Sequence, residues 1–178
     1  MFVAMDKSKV EPFVISREFD APRVLLFKAF TEVERMKQWW GPKDFKVIAS
    51  EMDLRPGGMY HYGLQARDGS SMWGRFLYRE IGAPERIVLV NSFSDEKGGL
   101  TRHPLQKEWP LELLSTFSFE DVGSERTKVT IVWEPINASE AEQHAFDLNR
   151  ESMTQGWTGT FDRLEHYLAD SKSRAATA

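Results

Sequence analysis

From Phe45 to Pro135 the chain reads as strands separated by turn chemistry, and from Ser139 it reads as one long amphipathic helix. This order leaves few folds open. The runs FKVIASEMDL and MYHYGLQAR are divided by Arg55-Pro56-Gly57-Gly58, and Asp68-Gly69 is a hairpin signal before SMWGRFLYREI. Gly82-Ala83-Pro84-Glu85 precedes RIVLVNSFSD, and Gly123-Ser124 divides LELLSTFSFED from TKVTIVWEP. These are six strands in meander order. Capped by Asn137 or Ser139, the helix is expected to reach about Ala169, roughly 45 Å at 1.5 Å per residue. Phe146, Met153, Trp157, Phe161, Leu164 and Leu168 form its buried stripe. An antiparallel meander has one face to cover, and such a helix can cover it, so the sheet should curl around the helix.

Ahead of the meander, PFVISREF alternates apolar and polar residues and supplies an opening strand. Asp20 stands where an N-cap is expected, with Pro22 in the first turn of a short helix carrying Leu26, Phe27 and Phe30. Thr31 and Glu34 have capping-box spacing for a second short helix, which Gly41-Pro42 ends. The expected architecture is α+β: a curved antiparallel sheet in the order β-α-α-β6-α wrapped around a long C-terminal helix. Residues 1–11 read as an N-terminal extension, 12–169 as one domain, and 170–178 as a flexible tail.

The bulk numbers exclude several functions. Lys plus Arg total 23 against 27 Asp plus Glu, a net charge of −4, with no run of five like charges, which argues against nucleic acid. Cysteine is absent, so no disulfide, thiolate nucleophile or Cys-based metal site can form. No cofactor is indicated. With neither a secretory leader pattern nor a run of 18 apolar residues, the expectation is a cytoplasmic protein without membrane insertion.

Candidate site residues come from the large side chains. Trp39 and Trp40 are adjacent at a helix end, so one can pack inward while the other borders a cavity. Gly156 and Gly159 interrupt the long helix, each costing roughly 1 kcal/mol against Ala. Close packing on the sheet is one account, and space left for a ligand beside Trp157 and Thr160 is the other. Tyr60/Tyr62, Trp73/Arg75, Phe117/Phe119 and Ile131/Trp133 each share a strand face, and Phe93 and Met153 complete the expected lining. Arg75 and His61 are the polar candidates, for pairing an anion and for exchanging a proton. Glu51, Asp53 and Glu80 serve as an acid/base set only if they face inward. The four histidines at 61, 103, 144 and 166 share no metal-ligand spacing, and no GxSxG, HExxH, Walker or GxGxxG motif occurs. The loop of residues 96–110, EKGGLTRHPLQKEWP, is long for a hairpin and is expected over the opening of a cavity.

The words "FDAPRVLLFKAFTEVERMKQWWGP", "MDLRPGGMYHY", "MWGRFLYREIGAPERIVLVNSF", "STFSFED" and "GWTGTFDRLEHYLA", in that order, resemble the START-like (SRPBCC, Bet v-like, helix-grip) superfamily. Within it the chain is most similar to the activator of heat-shock protein 90 ATPase homologue family. The resemblance implies an apolar cavity between the last helix and the concave sheet. It does not imply one reaction, because similar folds bind lipids or hormones, cyclise polyketides or assist chaperones. A binding domain for one small apolar or aromatic molecule is the leading expectation. A polyketide cyclase or hydrolase is the enzymatic alternative, and a co-chaperone module is the third. The family's named activator uses surface charge and a second domain, which 178 residues are not expected to hold, so a chaperone partner is disfavoured. Apolar residues on the outer sheet face are compatible with a homodimer.

Overall fold

The computed structural model describes residues 9–177. Strand β1 (Phe13–Phe19) leads into α1 (Arg23–Thr31) and α2 (Val33–Trp39). The meander follows as β2 (Lys46–Met52), β3 (Met59–Gln65), β4 (Ser71–Gly82), β5 (Arg86–Phe93), β6 (Glu112–Gly123) and β7 (Arg126–Ile136). Helices α3 (Glu140–Leu148) and α4 (Arg150–Thr177) complete the chain. The seven strands form one antiparallel sheet in the order β1-β7-β6-β5-β4-β3-β2. Chain order and spatial order therefore agree from β2 to β7, and the two short helices carry the chain from one sheet edge to the other. Irregularities in register at Val47/Ala49, Tyr78/Glu80 and Asp121/Gly123 accompany the bending of the sheet.

The alternation in sequence becomes a division of faces. Tyr60, Tyr62 and Leu64 of β3, Phe76 and Tyr78 of β4, and Leu113, Phe117 and Phe119 of β6 point to the concave side and are buried. On α4, Met153, Trp157, Thr160, Phe161, Leu164, Tyr167 and Leu168 bury the facing stripe. The helix-grip architecture expected from the sequence is the one observed.

Local details differ in four places. Asp20 does not cap α1, because its carboxylate takes a hydrogen bond from Arg126 at 3.0 Å. Pro22, with φ −66°, occupies the cap position instead. Thr31 does not open a capping box either. It is the last residue of α1, and its hydroxyl donates to the Phe27 carbonyl at 2.7 Å, while Glu32 joins the two helices. Ser139 does cap with Glu142, each side chain bonded to the other's backbone N–H, but the helix it opens stops at Leu148. Asn149 breaks the continuous helix read from the sequence, its side-chain amide donating back to the Ala145 carbonyl at 2.7 Å. Finally, α4 runs on through residues 170–177, past the expected end at Ala169.

Of the expected N-terminal extension, residues 1–8 lie outside the described residues. Val10 already packs against the core, and its N–H donates to Gln143 Oε1 at 2.9 Å. No helix among the described residues is long and apolar enough to cross a membrane.

Candidate functional site

Trp39, last residue of α2, and Trp40, just beyond it, diverge because the backbone turns extended at Trp40 (φ −63°, ψ 136°). Trp39 enters the core, its indole N–H donating to the Ala29 carbonyl at 3.1 Å and its ring meeting Phe30 at 4.8 Å. Trp40 swings toward α4, with its ring 5.6 Å from Tyr62, 5.3 Å from Phe76 and 5.8 Å from Trp157. Gly41 then reverses the chain at φ 106°, a conformation open to glycine and rarely to other residues. Arg163 of α4 holds this turn. One of its guanidinium nitrogens faces the carbonyls of Trp40, Gly41 and Pro42 at 3.0, 3.1 and 3.1 Å.

Between this turn, the concave sheet and α4 lies a cavity of about 370 Å³. Trp40, Gly41, Pro42, Tyr62 and Leu64 bound one end, and Asn91, Phe93, Leu113 and Trp133 bound the sheet side. Met153, Gly156, Trp157 and Thr160 form the roof. A Cβ built on Gly156 meets nothing within 4 Å, so this glycine opens space and does not serve close packing. Gly159 differs, since a Cβ there would sit 3.4 Å from the Lys43 backbone nitrogen, an ordinary contact with the turn and not with the sheet. Gly74 on β4 is required by its neighbour. A Cβ there would come within 2.3 Å of the Tyr62 hydroxyl oxygen, so the glycine lets the Tyr62 ring lie over the strand.

The mouth is bordered by the second half of the long loop, through His103, Gln106, Trp109 and Pro110, and by Asn149 and Ser152 at the α3–α4 break. His103 Nδ1 accepts the backbone N–H groups of Leu105 and Gln106 at 3.0 and 3.1 Å, and its ring lies 4.6 Å from Phe93. Arg102 pairs with Glu142 and ties the loop to α3. The first half of the loop behaves differently. Asp95 folds it into a tight turn by accepting the Lys97 and Gly99 N–H groups at 2.8 Å each, and this turn lies on the convex face.

No charged residue lines the cavity among the described residues. Burial, and to a lesser degree the neighbouring Tyr60, push the Tyr62 hydroxyl far above the ordinary tyrosine range, so it stays protonated. Burial likewise holds His103 below its usual range. Trp40, Trp133 and Trp157 carry buried indole N–H groups with no hydrogen-bond partner among the described residues. The Trp40 N–H lies beside the Tyr62 hydroxyl without reaching hydrogen-bonding geometry.

Residues 20–169 match the family model described as Activator of Hsp90 ATPase homolog 1-like protein. The chain belongs to this family. No curated protein matches it. Among solved structures, Ms6760 from Mycobacterium smegmatis aligns with this AHSA1-family chain at 21% identity and TM-score 0.70, over 88% of this chain and 90% of its own. NE0264 from Nitrosomonas europaea aligns at 20% identity and TM-score 0.70, over 95% and 99%. A Staphylococcus epidermidis protein aligns at 26% identity and TM-score 0.69, over 95% of each chain. Those at 20 and 21% identity speak for the fold alone.

The candidates drawn from the sequence divide accordingly. Trp40, Tyr62, Phe93, Trp133, Met153, Gly156, Trp157 and Thr160 come together around the cavity. Trp39, Tyr60 and Phe117 are buried one layer behind it; the Tyr60 ring stacks on Tyr62 at 5.3 Å, and its hydroxyl receives the Ser50 hydroxyl at 3.0 Å. Trp73 borders the cavity, but its indole belongs to the convex face, stacked on His61 at 5.3 Å. Arg75 and His61 are not inward polar groups. Their register places both on the convex side, where Arg75 donates to the Gly98 carbonyl at 3.0 Å and His61 Nε2 meets the Asp95 carbonyl at 3.0 Å. Glu51, Asp53 and Glu80 are exposed and form no inward acid/base set. Apart from Tyr62 and Thr160, the polar part of the wall, formed by His103, Asn91, Ser92, Gln106, Asn149 and Ser152, is absent from the sequence candidates. They sit in a loop, at a strand end and at a helix break, where no periodicity marks an inward side.

Proposed function

We propose that this AHSA1-family chain binds one small, mainly apolar molecule between its sheet and α4. The observation that carries the reading is the cavity itself. Its volume of about 370 Å³ lies within the range of small-molecule sites, and its wall is aromatic with a few polar groups at one end. The open space over Gly156 supports the same reading, because a glycine in a helix interior costs roughly 1 kcal/mol and here fills no packing need.

Native mass spectrometry of the freshly purified protein, compared with its denatured mass, tests this. An added mass released on denaturation is the expected result, and Gly156→Leu, which puts a side chain into the space, should purify without it. A leucine variant that retains the same added mass would place the ligand elsewhere and defeat the reading.

A further inference from the structure

We infer that the cavity selects an uncharged aromatic molecule carrying a hydrogen-bond acceptor, such as an aryl ketone, and that His103 Nε2–H is the group that receives the acceptor. This rests on the cavity being a binding site and goes on to name the ligand's chemistry.

The tautomer of His103 follows from its partners. Nδ1 accepts two backbone N–H groups, from Leu105 and Gln106, so it carries no proton. A neutral imidazole then bears its proton on Nε2. That N–H has no acceptor among the described residues, and the ring is part of the cavity wall beside Phe93. Burial disfavours the imidazolium, and a proton on Nδ1 would also cost both loop hydrogen bonds. In its neutral form His103 therefore presents its N–H on Nε2.

The rest of the wall sets the charge of the ligand. Among the described residues that line the cavity there is no Lys, Arg, Asp or Glu. Of the cations around it, Arg163 is committed to three carbonyls behind the Trp40–Pro42 turn, and Arg102 is paired with Glu142. A carboxylate entering this space would lose its hydration and meet no counter-ion, a heavy penalty in an apolar site. A ketone loses little hydration and gains a donor. The aromatic preference comes from Trp40, Tyr62, Trp133 and Trp157, whose rings offer faces and edges on several sides.

Equilibrium dialysis at a pH above about 7.5, where histidine is neutral, with acetylnaphthalene, naphthoate and naphthalene separates the components. The ketone is expected to bind roughly tenfold or more tightly than the carboxylate. It should exceed the hydrocarbon by about twofold to tenfold, the worth of one net hydrogen bond. Naphthoate binding as well as the ketone would overturn the inference while leaving the cavity-binding reading intact. Naphthalene matching the ketone would overturn the acceptor's role. Failure of all three to bind would overturn the inference, while a mass released on denaturation would still uphold the cavity-binding reading. His103→Phe should erase the ketone's advantage and keep naphthalene binding. Because that change also disturbs the loop, nitrogen NMR of His103 in the unaltered protein provides a second test. Adding the ketone should shift Nε2, and an unmoved resonance at saturation would overturn the assignment.

Discussion

Single side chains decide the shape of this site more than the backbone around them does. Arg163 is the clearest case, because a flexible, partly exposed residue holds three carbonyls of the turn that aims Trp40 into the cavity. Arg163→Ala should destabilise the protein by about 2 kcal/mol in urea unfolding, the scale of charge-assisted hydrogen bonds lost at a half-buried site. Lysine keeps the charge but places its ammonium differently on a shorter side chain, so it should restore only part of that. The glycines make a contrasting pair. Gly156→Ala meets open space and should stabilise α4 by roughly 0.5–1 kcal/mol. Gly74→Ala must displace the Tyr62 hydroxyl and should lower the thermal midpoint. Protonation has its own signature at this scale. Burial raises Tyr60, Tyr62 and Tyr78 above their ordinary value of 10.0. Their folded pKa values are the higher ones, so the stability they confer is complete below about pH 10 and falls as pH rises beyond it. In an alkaline titration the phenolate absorbance of these three should therefore rise together with unfolding, and ionisation well before the loss of far-ultraviolet circular dichroism would contradict it.

At the level of elements, the break at Asn149 and the two-part loop matter most. A continuous helix from Ser139 would carry α3 along the line of α4; the break lets α3 bury Phe146 under Trp109 while α4 follows the concave sheet. The cap at Ser139 anchors this arrangement, since Glu142 serves both the capping box and the Arg102 pair. Ser139→Ala should cost about 1 kcal/mol, the usual worth of an N-cap, read from denaturant midpoints at constant slope. The loop of residues 96–110 reads in sequence as one cover, yet Asp95 turns its first part onto the convex face and only residues from His103 onward border the mouth. That division depends on side-chain acceptors at Asp95 and His103, which composition cannot announce.

For the whole molecule, the governing fact is that the sheet curves around a single helix without being filled by it at one end. Phe30, Phe76, Phe117 and Phe119 pack the half of the concave face beneath α1 and α2. Toward Phe93 and Trp133 the same face is left open. A cavity of this kind carries an energetic cost, since its lining gives up dispersion contacts. A ligand that fills it should raise the thermal midpoint in proportion to the logarithm of its concentration above Kd. The same titration on Gly156→Leu should show a higher starting midpoint and no further rise.

Much of this was legible in the chain itself. Period-two runs cut by Arg55-Pro56-Gly57-Gly58, Asp68-Gly69 and Gly123-Ser124 specify strands and turns locally, because they depend on neighbours along the chain. The helical stripe from Met153 to Leu168 is local for the same reason, and together they determine a curled sheet around a helix. For the tryptophan pair the sequence left two packings open, and the fold buries both indoles, with Trp40 also forming part of the cavity wall. Sequence could not tell which strand face is inward for Trp73 and Arg75, because alternation alone is symmetric between the two faces and only packing against α4 breaks that symmetry. Nor could it show that His103 lines the site, because the imidazole is placed by hydrogen bonds within a loop and by Phe93 on a distant strand. The cavity and its uncharged wall are likewise properties of the assembled fold, arising where helix, sheet and loop fail to meet.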